Sequence, residues 1–202
     1  MTAHTTSHTV DAVVIGTSAG GIDALSIVLP ALTIGVRAAF FIVLHLPRKR
    51  PSLLVDIFAP KCALHVREAE DKEPIEPGTI YFAPPDYHML IDRGPQLTLS
   101  ADDLVHFSRP SIDVLFESAA EVFGPKLLGV ILTGASQDGA EGLEAVRRAG
   151  GITVVQQPQE SRAPMMTASA LKRGPADLVL PLDDIAKLFR SLDPALSANM
   201  SA

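Results

Sequence analysis

Three side chains that together could form an activated nucleophile follow three separate apolar runs of the chain. Ser18 stands in a glycine-bounded turn after one run, His45 directly follows a second, and Asp138 lies in the loop after a third. A hydroxyl, an imidazole and a carboxylate are the parts of a serine nucleophile with its base and orienting acid. In that chemistry Ser18 attacks, His45 takes and returns its proton, and Asp138 holds the His45 tautomer and offsets the imidazolium charge.

The elements that must position these side chains alternate between strand-like runs and helical patterns. The predicted strands are Ala12–Ile15, Ala39–Leu44, Leu64–Arg67, Thr79–Ala83, His88–Asp92, Gln96–Ser100, Leu127–Leu132, Ile152–Val155 and Asp177–Leu180. The predicted helices are Gly21–Leu32, Ser52–Ala59, Ser111–Phe123, Ala140–Ala149, Ala163–Arg173 and Leu182–Leu192. Such alternation predicts an α/β fold, a doubly wound and mostly parallel sheet with helices on both faces.

The segment Pro84-Pro85-Asp86-Tyr87 interrupts this alternation. Its residue types favour a chain reversal, so we expect Thr79–Ala83 and His88–Asp92 to form one antiparallel hairpin. Elsewhere the sheet should be parallel, and function then collects beyond the carboxyl ends of its strands. Ser18, His45 and Asp138 all fall at that edge, which favours a common site.

Each of the three residues also has a purely structural interpretation. Ser18 could cap the helix that follows its turn, and His45 could be a strand-end histidine bonded to backbone. Asp138-Gly139-Ala140-Glu141 is a possible capping box for the helix that begins at Ala140. The functional interpretation therefore depends on all three residues meeting at one edge.

The serine turn has a second possible use, because a glycine-rich turn before a helix can also cradle a phosphate. A Rossmann-like nucleotide-binding module would need G-x-G-x-x-G and an acidic residue after the second strand. Here the turn reads Gly-Thr-Ser-Ala-Gly-Gly and the second strand ends in His45. The nucleotide-binding hypothesis is therefore the weaker alternative.

Composition narrows the class of protein. The 202 residues are 47% hydrophobic and 20% charged, with a formal net charge of −6, which argues against nucleic acid or an anionic membrane as the main partner. The single cysteine, Cys62, excludes an internal disulfide, the histidines and carboxylates show no metal-ligand spacing, and no apolar segment is long enough to insert into a membrane. We expect a cytoplasmic protein with one domain at 11–192 between flexible tails at 1–10 and 193–202.

Ser18, His45 and Asp138 each belong to a longer motif. The three motifs are Ile15-Gly16-Thr17-Ser18-Ala19-Gly20-Gly21, Leu44-His45-Leu46-Pro47 and Leu132-Thr133-Gly134-Ala135-Ser136-Gln137-Asp138-Gly139-Ala140-Glu141-Gly142. Together they resemble the catalytic domain of the chemotaxis protein-glutamate methylesterases. They occur in the family's order, and the likeness runs from about Val13 to Leu188. The resemblance implies a parallel doubly wound fold with one antiparallel hairpin. We expect a stand-alone catalytic domain, without the receiver domain that regulates many relatives.

The resemblance also implies an activity. Family members hydrolyse glutamate γ-methyl esters on the cytoplasmic helices of chemoreceptors, often deamidate receptor glutamines, and use no cofactor. Carried onto this chain, the nucleophile is Ser18, the base His45 and the orienting acid Asp138, with backbone donors for an oxyanion at Ala19 and Ala135.

Three positions depart from the family pattern, which usually has methionine at Ala135, glycine at Ser136 and proline at Thr167. These departures leave open a catalytically inactive relative that serves as a scaffold. If the methionine position acts through its backbone N–H, Ala135 can still donate. Ser136 would be strained if its position needs a positive φ.

The densest basic cluster of this acidic chain, Arg48-Lys49-Arg50, comes directly after Pro47. We expect it to form a substrate-facing rim that meets the acidic helices of a receptor. The alternative is a solvated loop with no role.

Overall fold

The computed structural model describes residues 10–46, 51–94 and 96–197. The strands are β1 Ala12–Thr17, β2 Ala39–Leu44, β3 His65–Glu68, β4 Thr79–Phe82, β5 His88–Asp92, β6 Gln96–Ser100, β7 Leu127–Ile131, β8 Ile152–Gln156 and β9 Leu178–Leu180. The helices are α1 Gly21–Val28, α2 Leu54–Phe58, α3 Ile112–Phe123, α4 Ala140–Arg148, α5 Met165–Arg173, α6 Leu182–Ser191 and α7 Pro194–Ser197.

Seven of these strands form one sheet in the order β3-β4-β2-β1-β7-β8-β9, and every neighbouring pair in it is parallel. On one side of β1 lie β2, β4 and β3, and the chain then crosses to β7 on the other side. This reversal beside β1 is the switch point at which open α/β sheets bind ligands, outside the carboxyl ends of the strands. The predicted doubly wound parallel fold is confirmed.

Both faces of the sheet are covered, because alternate residues of a strand point to opposite sides. Val13 and Ile15 of β1 belong to one buried core, which also contains side chains of α1, α2 and α6. Ala12 and Val14 belong to a second core with side chains of α3, α4 and α5. Two separate cores hold the central strands rigidly, so the residues that follow β1, β2 and β7 have fixed starting points. In the described residues no helix combines the length and apolar character that a membrane span requires.

The antiparallel hairpin forms between different strands from those predicted. β4 lies inside the parallel sheet between β2 and β3, and β5 pairs instead with β6 from Asp92↔Gln96 to His88↔Ser100. All four residues of β4 are buried, as is typical of a parallel strand covered on both faces. The proline-rich segment therefore leads out of the sheet, and the prediction of a hairpin between β4 and β5 is wrong.

The chain after α6 contacts the rest of the domain through Asp193. Asp193 is buried and accepts a hydrogen bond from Thr33 Oγ1, and the short helix α7 follows it. This hydrogen bond joins the segment to a residue 160 positions earlier in the chain, and the flexible tail at 193–202 stays a prediction. Residues 1–9 and 198–202 lie outside the described part of the chain.

Candidate active site

Ser18 occupies the turn between β1 and α1, and its backbone is fixed on both sides. Its N–H donates to Thr133 O at 3.0 Å, and its carbonyl accepts from Gly21 N–H at 2.9 Å. Gly20 has φ +83°, which permits the sharp change of direction before the helix. Gly20 is also the N-cap residue of α1 and no side chain caps this helix, so the helix-capping interpretation of Ser18 is wrong.

His45 follows β2 at the position beside Ser18. Thr17 and Leu44 are register partners at the ends of β1 and β2, so Ser18 and His45 are the first residues after two neighbouring strands. His45 N–H donates to Thr17 O at 3.2 Å, which holds the backbones together. Both side chains line one cavity of about 530 Å³ that opens at this edge of the sheet.

The His45 ring is bonded to a carboxylate. Its Nε2 lies 2.8 Å from Asp138 Oδ2, and the His45 side chain is only 13% exposed while Asp138 is fully buried. An ionised carboxylate only accepts, so Nε2 carries the hydrogen and Nδ1 has the lone pair of the neutral imidazole. Nδ1 is therefore the ring atom that could take a proton.

Asp138 receives four donors on its two carboxylate oxygens. Oδ1 accepts from Ser111 Oγ at 2.9 Å and Asp113 N–H at 3.0 Å, and Oδ2 accepts from Ile112 N–H at 2.7 Å as well as from His45. Burial alone would raise the pKa of Asp138, but the bonds from His45 and from the first amides of α3 outweigh it and lower the pKa below its usual value. Asp138 is therefore an ionised group with a fixed orientation.

The capping box predicted for Asp138 is wrong, because Asp138 caps a different helix. Its carboxylate holds the first N–H groups of α3, whereas the N-terminus of α4 is capped by Asp113. Asp113 Oδ1 accepts from Gly139 N–H at 2.9 Å and from Gly142 N–H at 2.6 Å. The helices α3 and α4 thus exchange carboxylates at their N-termini, and this exchange places Asp138 against His45.

The two exchanged carboxylates differ in charge. Burial raises the pKa of Asp113 to about 7, and the nearby Asp138 carboxylate adds to the rise while Gly142 N–H and His106 oppose it. Within the described residues Asp113 Oδ2 has no hydrogen-bond partner, although His106 Nε2 lies 3.3 Å away. The protein therefore keeps one carboxylate ionised toward His45 and its neighbour largely protonated below neutral pH.

Asp113→Asn should make the folded protein less sensitive to pH. Between the ordinary pKa of 3.8 and about 7, the unfolded chain has lost the Asp113 proton and the folded protein keeps it. The free energy of unfolding therefore falls as pH rises through this window. The asparagine variant has no such proton, so its Tm relative to wild type should increase between about pH 4 and pH 8. Parallel curves of Tm against pH for the two proteins would contradict this assignment.

Thr133, which follows β7 after Leu132, is a site residue that sequence reasoning missed. Its carbonyl accepts from both Ser18 N–H and Thr17 Oγ1, and its hydroxyl donates to Ala19 O and accepts from Ala163 N–H. It thereby connects the turn that contains Ser18 to the segment before α5 and to residues 133–138, which contain Asp138 and are called the aspartate loop below. The signal in the sequence is a polar residue at the end of an apolar run. This signal does not identify the hydrogen-bond partners of Thr133.

The departures from the family pattern fit the local structure. Ser136 is not among the residues with positive φ, and its hydroxyl accepts from Asp138 N–H at 3.1 Å, so it helps to hold the aspartate loop. Thr167 is buried, and its hydroxyl donates to Pro164 O at 3.0 Å. Neither residue disturbs the site, which weakens the hypothesis of an inactive scaffold.

Two backbone N–H groups close to Ser18 have no acceptor among the described residues. Within the described residues neither Ala19 N–H nor Ala135 N–H donates a hydrogen bond, and both residues are exposed. Ala19 is next to Ser18 in the chain. Ala135 follows Gly134, and a Cβ added to Gly134 would lie 3.0 Å from Ser18 Cβ. Both amides are therefore close to Ser18, one along the chain and one in space, and they stay the predicted donors for an oxyanion.

Other reactive side chains serve the fold. His88 is buried, accepts from Ser111 N–H at Nδ1 and bonds Asp103 O through Nε2. Burial raises the pKa of the Cys62 thiol to about 11 against the weaker opposite effect of Lys61, so the thiol is protonated at neutral pH. The basic cluster Arg48-Lys49-Arg50 lies outside the described residues.

Known proteins are similar to this chain over most of its length. The sequence profile of the CheB methylesterase family covers residues 13–189. A Leptospira interrogans relative, provisionally named a protein-glutamate methylesterase/protein-glutamine glutaminase, is 45% identical over 91% of this chain and 95% of its own length. A Methanosarcina mazei protein named protein-glutamate methylesterase/protein-glutamine glutaminase 2 is 36% identical over 85% of this chain, which spans 49% of that relative. The crystal structure of the Thermotoga maritima CheB methylesterase catalytic domain superposes with a TM-score of 0.83 at 31% identity, covering 91% of this chain and 98% of that one.

Proposed function

The chain belongs to the CheB methylesterase family, and on that premise we propose that it hydrolyses glutamate γ-methyl esters on chemoreceptor-type proteins. The same site would deamidate glutamine side chains. One observation carries the proposal: the partly buried His45 and the buried Asp138, joined at 2.8 Å, lie beside Ser18 where neighbouring strands end. A carboxylate that orients an imidazole next to a hydroxyl is the arrangement of a catalytic triad for acyl transfer.

The reaction proceeds through an acyl-enzyme. Ser18 Oγ attacks the ester carbonyl carbon while His45 Nδ1 takes the hydroxyl proton. The tetrahedral intermediate collapses, and the leaving methoxide takes that proton from His45 and departs as methanol. Water then attacks the Ser18 ester, again giving its proton to His45. The second collapse returns the proton to Ser18 Oγ and releases the glutamate side chain.

Asp138 and the two exposed amides stabilise charge during these steps. The ionised Asp138 holds Nε2–H of His45 and offsets the positive charge that the ring gains when Nδ1 is protonated. Ala19 N–H and Ala135 N–H would donate to the oxyanion of each tetrahedral intermediate. The steps use only these groups and water.

The proposal is tested by incubating the protein with a receptor fragment that carries glutamyl methyl esters, and by measuring methanol release and the mass of the fragment. We expect methanol in step with a mass loss of one methylene group per site. A fragment that keeps its full mass while the protein stays folded would contradict the proposed activity. The Ser18→Ala variant is the matched negative control.

Arg48, Lys49 and Arg50 remain the proposed rim for the acidic receptor helices. Replacing all three by serine or glutamine should lower kcat/KM on the receptor fragment and flatten its dependence on salt, because charges at the rim of an interface act mainly on the rate of encounter. Hydrolysis of a small uncharged ester should stay near the wild-type rate. An equal loss on both substrates would mean that the cluster supports the loop after His45 instead.

A further inference from the structure

Arg162 is the one cation among the described residues that line the cavity of Ser18 and His45. Its backbone segment is rigid, since Ala163 N–H donates to Thr133 Oγ1 at 2.9 Å and Ala163 O accepts from Gly134 N–H at 2.9 Å. Its Cβ would lie 3.0 Å from a Cβ built on Gly20, so Arg162 packs directly against the serine turn. Arg162 thus lies in the wall of the cavity that contains Ser18 and is not one of the three groups proposed for the chemistry.

The charge of Arg162 is only loosely engaged. Nη1 donates to Asp23 Oδ2 at 2.9 Å, and the two side chains are 75% and 73% exposed. An exposed ion pair of this kind contributes little to stability, and a guanidinium has five donors in a planar fork. Arg162 can therefore leave Asp23 for another carboxylate at small cost.

We propose that Arg162 binds an acidic side chain of the substrate protein next to the reacting ester. In the free protein Asp23 occupies the position of that acidic side chain on Arg162. The inference rests on the proposed function, because each turnover converts an ester into a glutamate and a multiply modified protein presents both. On a helix, residues three or four positions apart are about 5–6 Å from each other between Cβ atoms. A glutamate at that spacing from an ester seated at Ser18 is within reach of the cavity mouth, where Arg162 lies.

Exchange of partners predicts opposite effects for the two halves of the ion pair. Without Arg162 the acidic side chain loses its partner, so binding weakens. Without the Asp23 charge the guanidinium is released from its competitor, so binding of the acidic side chain strengthens. A pair that only stabilised the turn would make both substitutions harmful, and this difference in sign separates the two roles.

The test compares two helical peptides that carry one glutamyl methyl ester each. One has glutamates three and four positions from the ester, and the other has alanines there. Arg162→Gln should lower kcat/KM on the acidic peptide roughly three- to tenfold, and Asp23→Asn should raise it roughly two- to fivefold. On the alanine peptide both variants should stay within about twofold of wild type.

A double variant and a distant ion pair supply the controls. Asp23→Asn should bring no gain when Arg162→Gln is already present, which excludes simple removal of a repulsive charge. Lys126 and Asp11 form a similar exposed pair at 2.8 Å near the amino ends of β7 and β1, so Lys126→Gln and Asp11→Asn should leave both peptides unaffected. Equal losses for Arg162→Gln and Asp23→Asn, or equal effects on both peptides, would overturn the inference. Failure of the wild-type protein to release methanol from either peptide would instead overturn the proposed function.

Discussion

Replacing Ser18 by alanine should abolish ester hydrolysis in a protein that remains folded. We expect kcat to fall at least about a thousandfold, because loss of the attacking oxygen removes covalent catalysis altogether. Folding should survive, since the backbone bonds to Thr133 O and Gly21 N–H do not involve the hydroxyl. The Tm should stay within about 2 °C of wild type.

The measurement is methanol release from a methyl-esterified receptor fragment, with circular dichroism melting of both proteins. Ser169→Ala is a suitable control, because Ser169 is a partly buried serine of α5 outside the cavity of Ser18. It should hydrolyse the fragment like wild type. Near-wild-type activity of the Ser18 variant would show that another group attacks the ester.

Asp138→Asn should damage both activity and stability. Each carboxylate oxygen of Asp138 accepts two donors, and an amide keeps only one acceptor oxygen. Whichever way the amide turns, its NH₂ group faces a backbone N–H of α3, and in one orientation it also faces His45. We expect kcat/KM to fall about 10³- to 10⁴-fold, and the free energy of unfolding to fall by about 1–3 kcal/mol.

Asp113→Asn is the matched control for that experiment, because Asp113 is the other carboxylate of the exchange between α3 and α4. Its Oδ1 accepts from Gly139 N–H and Gly142 N–H at the N-terminus of α4, while its Oδ2 has no hydrogen-bond partner among the described residues. An asparagine can keep the oxygen on the α4 side and place its NH₂ at the Oδ2 position. At pH 7 the rate of methanol release should stay within a few-fold of wild type. Urea denaturation gives the free energy of unfolding of the same variant. Similar losses in both variants would mean that Asp138 acts only as a helix cap.

The parallel sheet could be predicted because burial on both faces leaves a local trace. The run Ala39–Leu44 is apolar without a break, and its observed limits are those predicted. Placement of Ser18, His45 and Asp138 at one edge also followed, since parallel strands put their carboxyl ends together. Helix limits leave a weaker trace. The apolar spacing predicts one helix over Gly21–Leu32, but the α-helix ends at Val28. A short 3₁₀ turn containing Pro30 follows, because proline has no N–H to donate.

Pairing and capping could not be predicted from local patterns. The proline-rich turn after β4 marks a change of direction, but whether β5 pairs with β4 or β6 depends on packing against α3. Asp138 has the spacing of a cap for its own helix, yet its partners Ser111 to Asp113 lie 25–27 positions earlier in the chain. Hydrogen bonds over such distances leave no periodicity in the sequence.

The central claim, that Ser18 is the nucleophile, is tested most directly by covalent labelling with a fluorophosphonate, which reacts with activated serines. Peptide mapping by mass spectrometry locates the adduct, and methanol release is followed in the same samples. We expect one adduct, on Ser18, that forms in proportion to the loss of activity and is slowed by a methyl-esterified peptide. Full activity with Ser18 labelled, or loss of activity with the adduct on another residue, would contradict the account.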